Sequence, residues 1–279
     1  TEEYQVAGEP WSKQNGDGEI SAMAIGAALW ATANQNTEGG RAISKTKHIG
    51  CRYGYVSLKW KPDSPMFHLA GASGLTVENW ENVICVNQIG LRFWDELDDT
   101  YGFINAALGL NGSPTNGGGP IWAIFDQGAV EREKWKPKPP NVDPNGWFFS
   151  ADTIAELANK IFNPYQKDSI PAGTLEETVA KFNSHVDAGE DREFGRTALS
   201  YKIQTPPFYA AWSTPVLHDS LTGLKINTQC QVIDMRGRPI EGLYCAGESA
   251  GGFALHGLPR CTVFGRIAGR EAAQAPSSD

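Results

Sequence analysis

The residues of this sequence that could do chemistry gather near its end. An apolar run over 242–247 closes on Gly247 and Glu248, and a helical run opens close to Gly257. A strand that delivers a glycine and an acid, followed by a helix whose first N–H groups are free, can hold a polar cofactor. The carboxylate accepts from hydroxyls, and the helix start favours negative charge. Asp17, in the turn GDG, offers a second carboxylate, as the N-cap of the helix that follows, as a ligand, or as both. For proton transfer, Tyr101 is a protonated donor near neutral pH whose anion a neighbouring cation or hydrogen bond can stabilise. His218 can polarise a carbonyl or act as the acid itself; its bland alternative is a core histidine satisfied by backbone. His256, beside the opening of the last helix, is a third candidate. No His, Cys or carboxylate set has the spacing of a metal site.

These residues need elements to position them. Residues 16–30, GDGEISAMAIGAALW, place Ile20, Met23, Ala24, Ala27 and Ala28 on one helical stripe, which predicts a core-facing helix capped by Asp17. Strand-like runs follow over 53–60 and 83–86, the second leading through a glycine turn into the acidic DELDD stretch, expected as a helix. Residues 109–119 and 134–144, rich in Gly, Asn, Pro and Lys, read as exposed loops. From Asp152 the period becomes helical. ADTIAELANKIF and LEETVAKFNSHVDAG form two amphipathic helices, the second with Leu175, Val179, Phe182 and Val186 on one face and Gly189 as its stop. The tail returns to strands over 224–234 and 242–247, a turn at RGRPI, and a final helix, CTVFGRIAGREAA.

The length of 279 residues suits two domains. A formal net charge of −8 argues against a nucleic-acid partner, which a basic face would serve, and points to small molecules or proteins instead. No run approaches the ~18 consecutive apolar residues of a membrane span, and the start has no signal pattern, so a cytoplasmic chain is expected. The five cysteines, Cys51, Cys85, Cys230, Cys245 and Cys261, are scattered without a CxxC pair and read as reduced thiols. Cys261 is either a redox thiol or a small buried hydrophobe, with the second reading preferred.

Four segments in order, GDGEISAMAIGAALW, VNQIGLRFWDE, DREFGR with TPPFYA, and GLKIN through GLYCAGESAGG to VFGRIAGREAA, resemble the FAD-dependent fumarate reductase and succinate dehydrogenase flavoprotein superfamily. The resemblance implies an α+β fold in which a capping domain is inserted in a Rossmann-like FAD-binding domain, with only the C-terminal part of that domain present. Residues 1–45 and 213–279 would form the FAD-binding segments and 46–212 the capping, substrate-binding domain. It also implies a second polypeptide carrying the GxGxxG turn for the FAD adenosine and pyrophosphate. Asp17 and Glu248 would hold FAD through its hydroxyls. Gly257 and Leu258 would present backbone N–H groups to the flavin ring, stabilising its reduced anion. Arg260 would either add positive charge near the flavin or serve as a surface or capping arginine.

The same resemblance narrows the substrate. The family's dicarboxylate anchors fall on Glu38, Gly39 and Gly40, and on Asp99, Thr100 and Tyr101, none of them cationic. Two carboxylates desolvated without partners would each cost several kcal/mol, so an uncharged or aromatic substrate is expected rather than fumarate or succinate. Family members acting on ketosteroids place a tyrosine near Tyr101, and His218 matches the family's substrate histidine. The implied reaction makes or reduces a C=C bond, with Tyr101, His218 and Arg260 as catalytic candidates. The alternatives are a flavin oxidase using oxygen and a non-catalytic binding subunit derived from a flavoprotein.

Overall fold

The computed structural model describes residues 7–8, 16–30, 47–52, 61–65, 67–98, 120–166, 169–214, 216–217, 222–253 and 257–275. Tyr101, His218, His256, the run 53–60, the loop 109–119 and residues 38–40 and 99–100 lie outside them. The principal elements begin with α1 (Asp17–Ala24), β1 (Leu29–Trp30), β2 (His48–Ile49), α2 (Phe67–Ala70), β3 (Leu75–Thr76) and β4 (Ile84–Val86). Next come β5 (Trp122–Asp126), α3 (Gln127–Glu133), β6 (Phe148–Ala151), α4 (Ile154–Lys160), α5 (Ala172–Ala188) and β7 (Phe208–Trp212). The tail holds β8 (Gly223–Leu224), β9 (Gln231–Ile233), β10 (Pro239–Tyr244) and α6 (Gly257–Gln274). The chain divides into two units, residues 1–11 with 43–216, and residues 12–42 with 217–279.

The larger unit is built on a four-stranded antiparallel sheet in the order β4, β5, β7, β6. All five residues of β5, WAIFD, are buried, as a strand covered on both faces requires. Trp122 and Ile124 face one cluster with Trp212, Ala210 and the apolar stripes of α4 and α5. Ala123 and Phe125 face another with Tyr209, Phe148 and Val83. Trp122 and Trp212 are direct cross-strand partners, their rings edge to face at 5.3 Å, a geometry that adds to area burial. The two expected amphipathic helices are present: Leu175, Val179 and Phe182 of α5 are buried, and Gly189 ends it in the left-handed conformation at φ 68°.

The acidic stretch after Gly90 is not helical through Asp98. Its side chains are used differently. Arg92 donates to both oxygens of Glu96, at 2.9 and 2.7 Å, and to Asp191 at 2.9 Å, while Arg196 donates to Glu96 at 3.0 Å. All four are at least 95 % buried. The remaining lone pairs are filled by backbone: Cys85 N–H on the outer, buried edge of β4 donates to Glu96, and Glu193 and Phe194 N–H donate to Asp191. Arg196 further donates to the carbonyls of Val83, Trp80 and Ala198, and both guanidinium groups pack on the Phe182 ring. Burial alone would raise Glu96 and Asp191, but the facing guanidinium groups overcome it and hold both carboxyls below their usual range. Arg92, opposed by burial, is likewise held above its usual value by Glu96 and Asp191. Among the described residues, His185, Asp191 and Glu193 also bring ligand-type atoms within 4.8 Å of one another. Arg92 on Asp191 and Lys181 on Glu193 already serve as their cations.

In the smaller unit, β1 pairs with β8, and β9 with β10, around a core of small residues that includes Ala22, Ala27, Leu224, Val232, Cys245 and Ala250. Three expectations are corrected here. Gly16, at φ 69°, takes the N-cap position, and Asp17 is the first helical residue, where its charge suits the helix dipole without a capping bond. The expected apolar stripe is not the buried one: Ile20 and Met23 are 62 % and 48 % exposed, and Ala22 is buried instead. The reason is length. The helix stops at Ala24, Gly26 at φ 95° turns the chain, and Ala27 and Ala28 enter extended backbone, so the helical period does not continue to them. The run 242–247, expected as a buried strand, is half-buried along β10 and fully buried only at Cys245 and Gly247.

The charge network sets a stability prediction. Glu96→Ala leaves two buried guanidinium groups undercompensated and is expected to cost about 3–5 kcal/mol in denaturant unfolding followed by tryptophan fluorescence. Because the folded carboxyls sit below their unfolded values, their contribution is complete above about pH 5 and is lost as the pH falls through the lowered values. Glu96→Gln should therefore flatten the acid limb of the stability–pH curve. An unchanged acid limb would show that these carboxyls do not govern it.

Candidate functional site

The site expected at the end of β10 is assembled within the smaller unit. β10 runs to Tyr244, and the chain then makes a single 3-10 turn over Gly247–Ser249, opened by Gly247 at φ 74°. The turn is locked from below. Ala250 bridges Leu224 in parallel register, and Gly251 N–H donates to the Leu224 carbonyl at 3.0 Å. Backbones approach so closely that side chains are excluded. A Cβ on Gly223 would lie 2.3 Å from the Ser249 carbonyl oxygen, and one on Gly251 would lie 2.0 Å from that of Trp30. Here the glycines of GLKIN and GESAGG serve packing.

Glu248 faces the start of α6. Gly257 N–H donates to its Oε1 at 3.3 Å, and Arg260 Nη2 lies 3.3 Å from its Oε2. Arg260 is 1 % exposed, which removes the surface-arginine reading. It spans the whole turn, donating from Nε to the Gly247 carbonyl at 3.1 Å, from Nη2 to that of Glu248 at 3.0 Å and from Nη1 to that of Phe253 at 3.4 Å. The planar fork of the guanidinium suits this task, since lysine has no geometry to reach all three. Leu258, one residue into α6, is 81 % exposed, and Pro259 occupies the first turn, where its missing N–H costs nothing.

Of the candidates from sequence, the structure brings Glu248, Gly257 and Arg260 into direct contact. Asp17 is exposed at the start of α1, which, like the Gly247–Ser249 turn, packs against β8. Tyr101 and His218 are outside the described residues. Sequence reasoning did not foresee the clamp by Arg260 on three carbonyls. An arginine in the first turn after a glycine-rich loop was the only trace of it.

Residues 67–260 match the FAD binding domain family, and the chain belongs to that family. The NADH:acrylate oxidoreductase of Vibrio harveyi is 35 % identical over 209 residues, covering 69 % of this chain and 18 % of that protein. The urocanate reductase of Eggerthella lenta is 32 % identical over 229 residues, covering 78 % of this chain and 35 % of that one. The chain thus spans well under half the length of these relatives. Among solved structures, the open conformation of a flavocytochrome c3 fumarate reductase superposes with a TM-score of 0.52 at 24 % identity, over 96 % of this chain and 42 % of that one, which supports the α+β fold.

FAD is the cofactor of this family, and the donor set of the turn fits it. Glu248 keeps 31 % of its side chain exposed, so its carboxylate can still accept from a hydroxyl, and the first amides of α6 open beside it. Among the described residues no helix is long and apolar enough to cross a membrane.

The clamp gives a prediction for the free chain. Arg260→Met keeps the volume but strips three carbonyls and Glu248 of their donor, at an expected cost of about 3 kcal/mol. Hydrogen exchange should accelerate over residues 247–253 first, and Arg260→Lys should not restore protection. Uniform exchange across the smaller unit would argue that the clamp is not local.

Proposed function

We propose that this chain forms part of an FAD-dependent oxidoreductase that makes or reduces a C=C bond next to a carbonyl or aromatic group. The observation that carries the reading is the convergence of Glu248, Arg260 and the start of α6 within the stretch that matches the FAD binding domain family. FAD, when bound, supplies two-electron transfer to or from a substrate carbon. Glu248 and Asp17 would accept hydrogen bonds from its hydroxyls, and the Gly257 and Leu258 amides would offer positive partial charge to the ring edge that becomes electron-rich. Arg260 would act as a positioning residue, holding the turn that presents Glu248. Tyr101 would supply or remove the proton at the neighbouring carbon, and His218 would polarise the substrate carbonyl.

For the substrate we propose an uncharged or aromatic unsaturated compound, supported by the absence of cationic residues at positions 38–40 and 99–101. A second reading, an unsaturated monocarboxylate, is favoured by the names of the two relatives, which act on acrylate and urocanate.

The experiment is spectroscopic. The chain, with whatever polypeptide co-purifies, is loaded with FAD and reduced without oxygen. It is then mixed in turn with an uncharged enone, a vinyl phenol, acrylate, urocanate and fumarate. Reoxidation by the enone or vinyl phenol well ahead of fumarate is expected; reoxidation by the monocarboxylates alone would select the second reading. Peroxide released in air in step with consumption of a saturated substrate would instead identify an oxidase, and a folded complex without flavin bands would overturn the enzymatic reading. Glu248→Gln should weaken FAD binding about tenfold. Tyr101→Phe should lower turnover roughly a hundredfold or more with FAD retained.

A further inference from the structure

The five cysteines show no pairing in sequence, yet the fold sets two of them opposite each other. Cys230 immediately precedes β9 and Cys245 immediately follows β10, and Gln231 pairs with Tyr244, so the two cysteines lie opposite each other just past the end of the ladder. The Cys245 N–H donates to the Cys230 carbonyl at 2.9 Å. Opposed residues hydrogen-bonded across an antiparallel pair have Cα atoms about 5.5 Å apart, inside the range of about 4.4–6.8 Å that a disulfide spans. Both side chains enter the same buried cluster, at 2 % and 8 % exposure. Cys230 also holds a left-handed backbone at φ 61°, which a residue with a side chain seldom adopts. Its Sγ lies 3.6 Å from the Phe264 carbonyl of α6.

We propose that Cys230 and Cys245 are a modification site, a cross-strand dithiol that closes to a disulfide beneath α6 when it meets a low-molecular-weight disulfide. One cysteine thiolate attacks a sulfur of the small disulfide and releases its first half as a thiol. The second cysteine then attacks the protein-bound sulfur of the mixed disulfide, and the other half leaves as a second thiol. Two protein thiols are oxidised by two electrons, the small disulfide is reduced to two thiols, and the protons lost by the cysteines reappear on the released thiols. Burial raises both protein thiols, Cys245 to about 11, so closure is slow near neutral pH and quickens as the pH rises. The exposed Cys261 reacts first, without forming this link. Cys245 lies just ahead of Gly247 and Glu248, and Cys230 lies against α6. A bond between them ties the strand carrying the Gly247–Ser249 turn to the neighbouring strand.

The test uses the full chain with Cys261→Ser, incubated without denaturant in oxidised glutathione at mildly alkaline pH, then alkylated, digested and mapped without reduction. A peptide pair joined through Cys230 and Cys245 is expected, with a loss of two hydrogens in the intact mass. The thermal midpoint should rise by several degrees, and dithiothreitol should reverse every change. Cys230→Gly, which suits the left-handed backbone, and Cys245→Ala should each abolish the link and the rise. Both cysteines remaining alkylatable after prolonged exposure would overturn the proposal, as would a link that persists in either variant. These readouts do not depend on flavin or turnover, so a failure here is separable from a failure of the proposed function.

Discussion

The larger unit depends on the energetics of burying Glu96. A lone carboxylate at that depth would be several kcal/mol out of balance, and burial pulls its proton affinity upward. Two guanidinium groups and the edge amide of β4 reverse that, and each comes from a different part of the chain. Arg92 is one helical turn's distance away in sequence, Arg196 a hundred residues on, and Asp191 supplies the second negative charge that balances the second arginine. The network therefore specifies which loop meets which strand. It also protects the sheet, since an edge strand left with a free amide is a template for unwanted pairing. The aromatic floor of Phe182 and Phe194 explains how guanidinium groups so thoroughly removed from water remain acceptable there.

Two of the four segments that carry the family resemblance, VNQIGLRFWDE and DREFGR, are the two halves of this network. Their spacing records a structural requirement, whereas the GES segment and the last helix hold the groups that converge around Glu248. A family signature thus mixes two kinds of constraint, and the burial of each charged residue separates them. Glu96 has no exposure left for a ligand, while Glu248 keeps almost a third of its side chain in solvent.

The sequence made the long periodic elements legible. The stripe of α5 with its glycine stop and the final helix follow from hydrophobic periodicity and cap chemistry. It did not reveal the fate of α1, because a helical stripe and a helix broken by Gly26 share the same letters when the turn falls between two apolar pairs. Nor did it reveal the cysteine pair. Counting outward from Ile233 opposite Pro239 sets Cys230 against Gly242, and only the register shift in β10 brings Cys245 across from it. DELDD had the composition of a helix start, but Glu96 was claimed by distant arginines, and tertiary pairing of that strength outweighs the small propensity differences among exposed residues.

The charge balance around the Gly247–Ser249 turn decides what Arg260 contributes there. Its guanidinium lies against the Glu248 carboxylate and three carbonyl oxygens, all of which draw on its positive charge. A ligand approaching the exposed side of Glu248 therefore meets a nearly neutral pair, and its field falls off faster than that of a single charge. Gly257 N–H already donates to Glu248, so the unspent positive potential is that of the α6 start beyond it, since partial charges at a helix start act within about one turn. On this accounting the arginine supplies geometry: it fixes the angle at which the turn presents its carboxylate to the helix start. An acid in its place could accept from those same amides, but could donate nothing to the carbonyls of Gly247, Glu248 and Phe253, and the turn would need another donor to keep its shape.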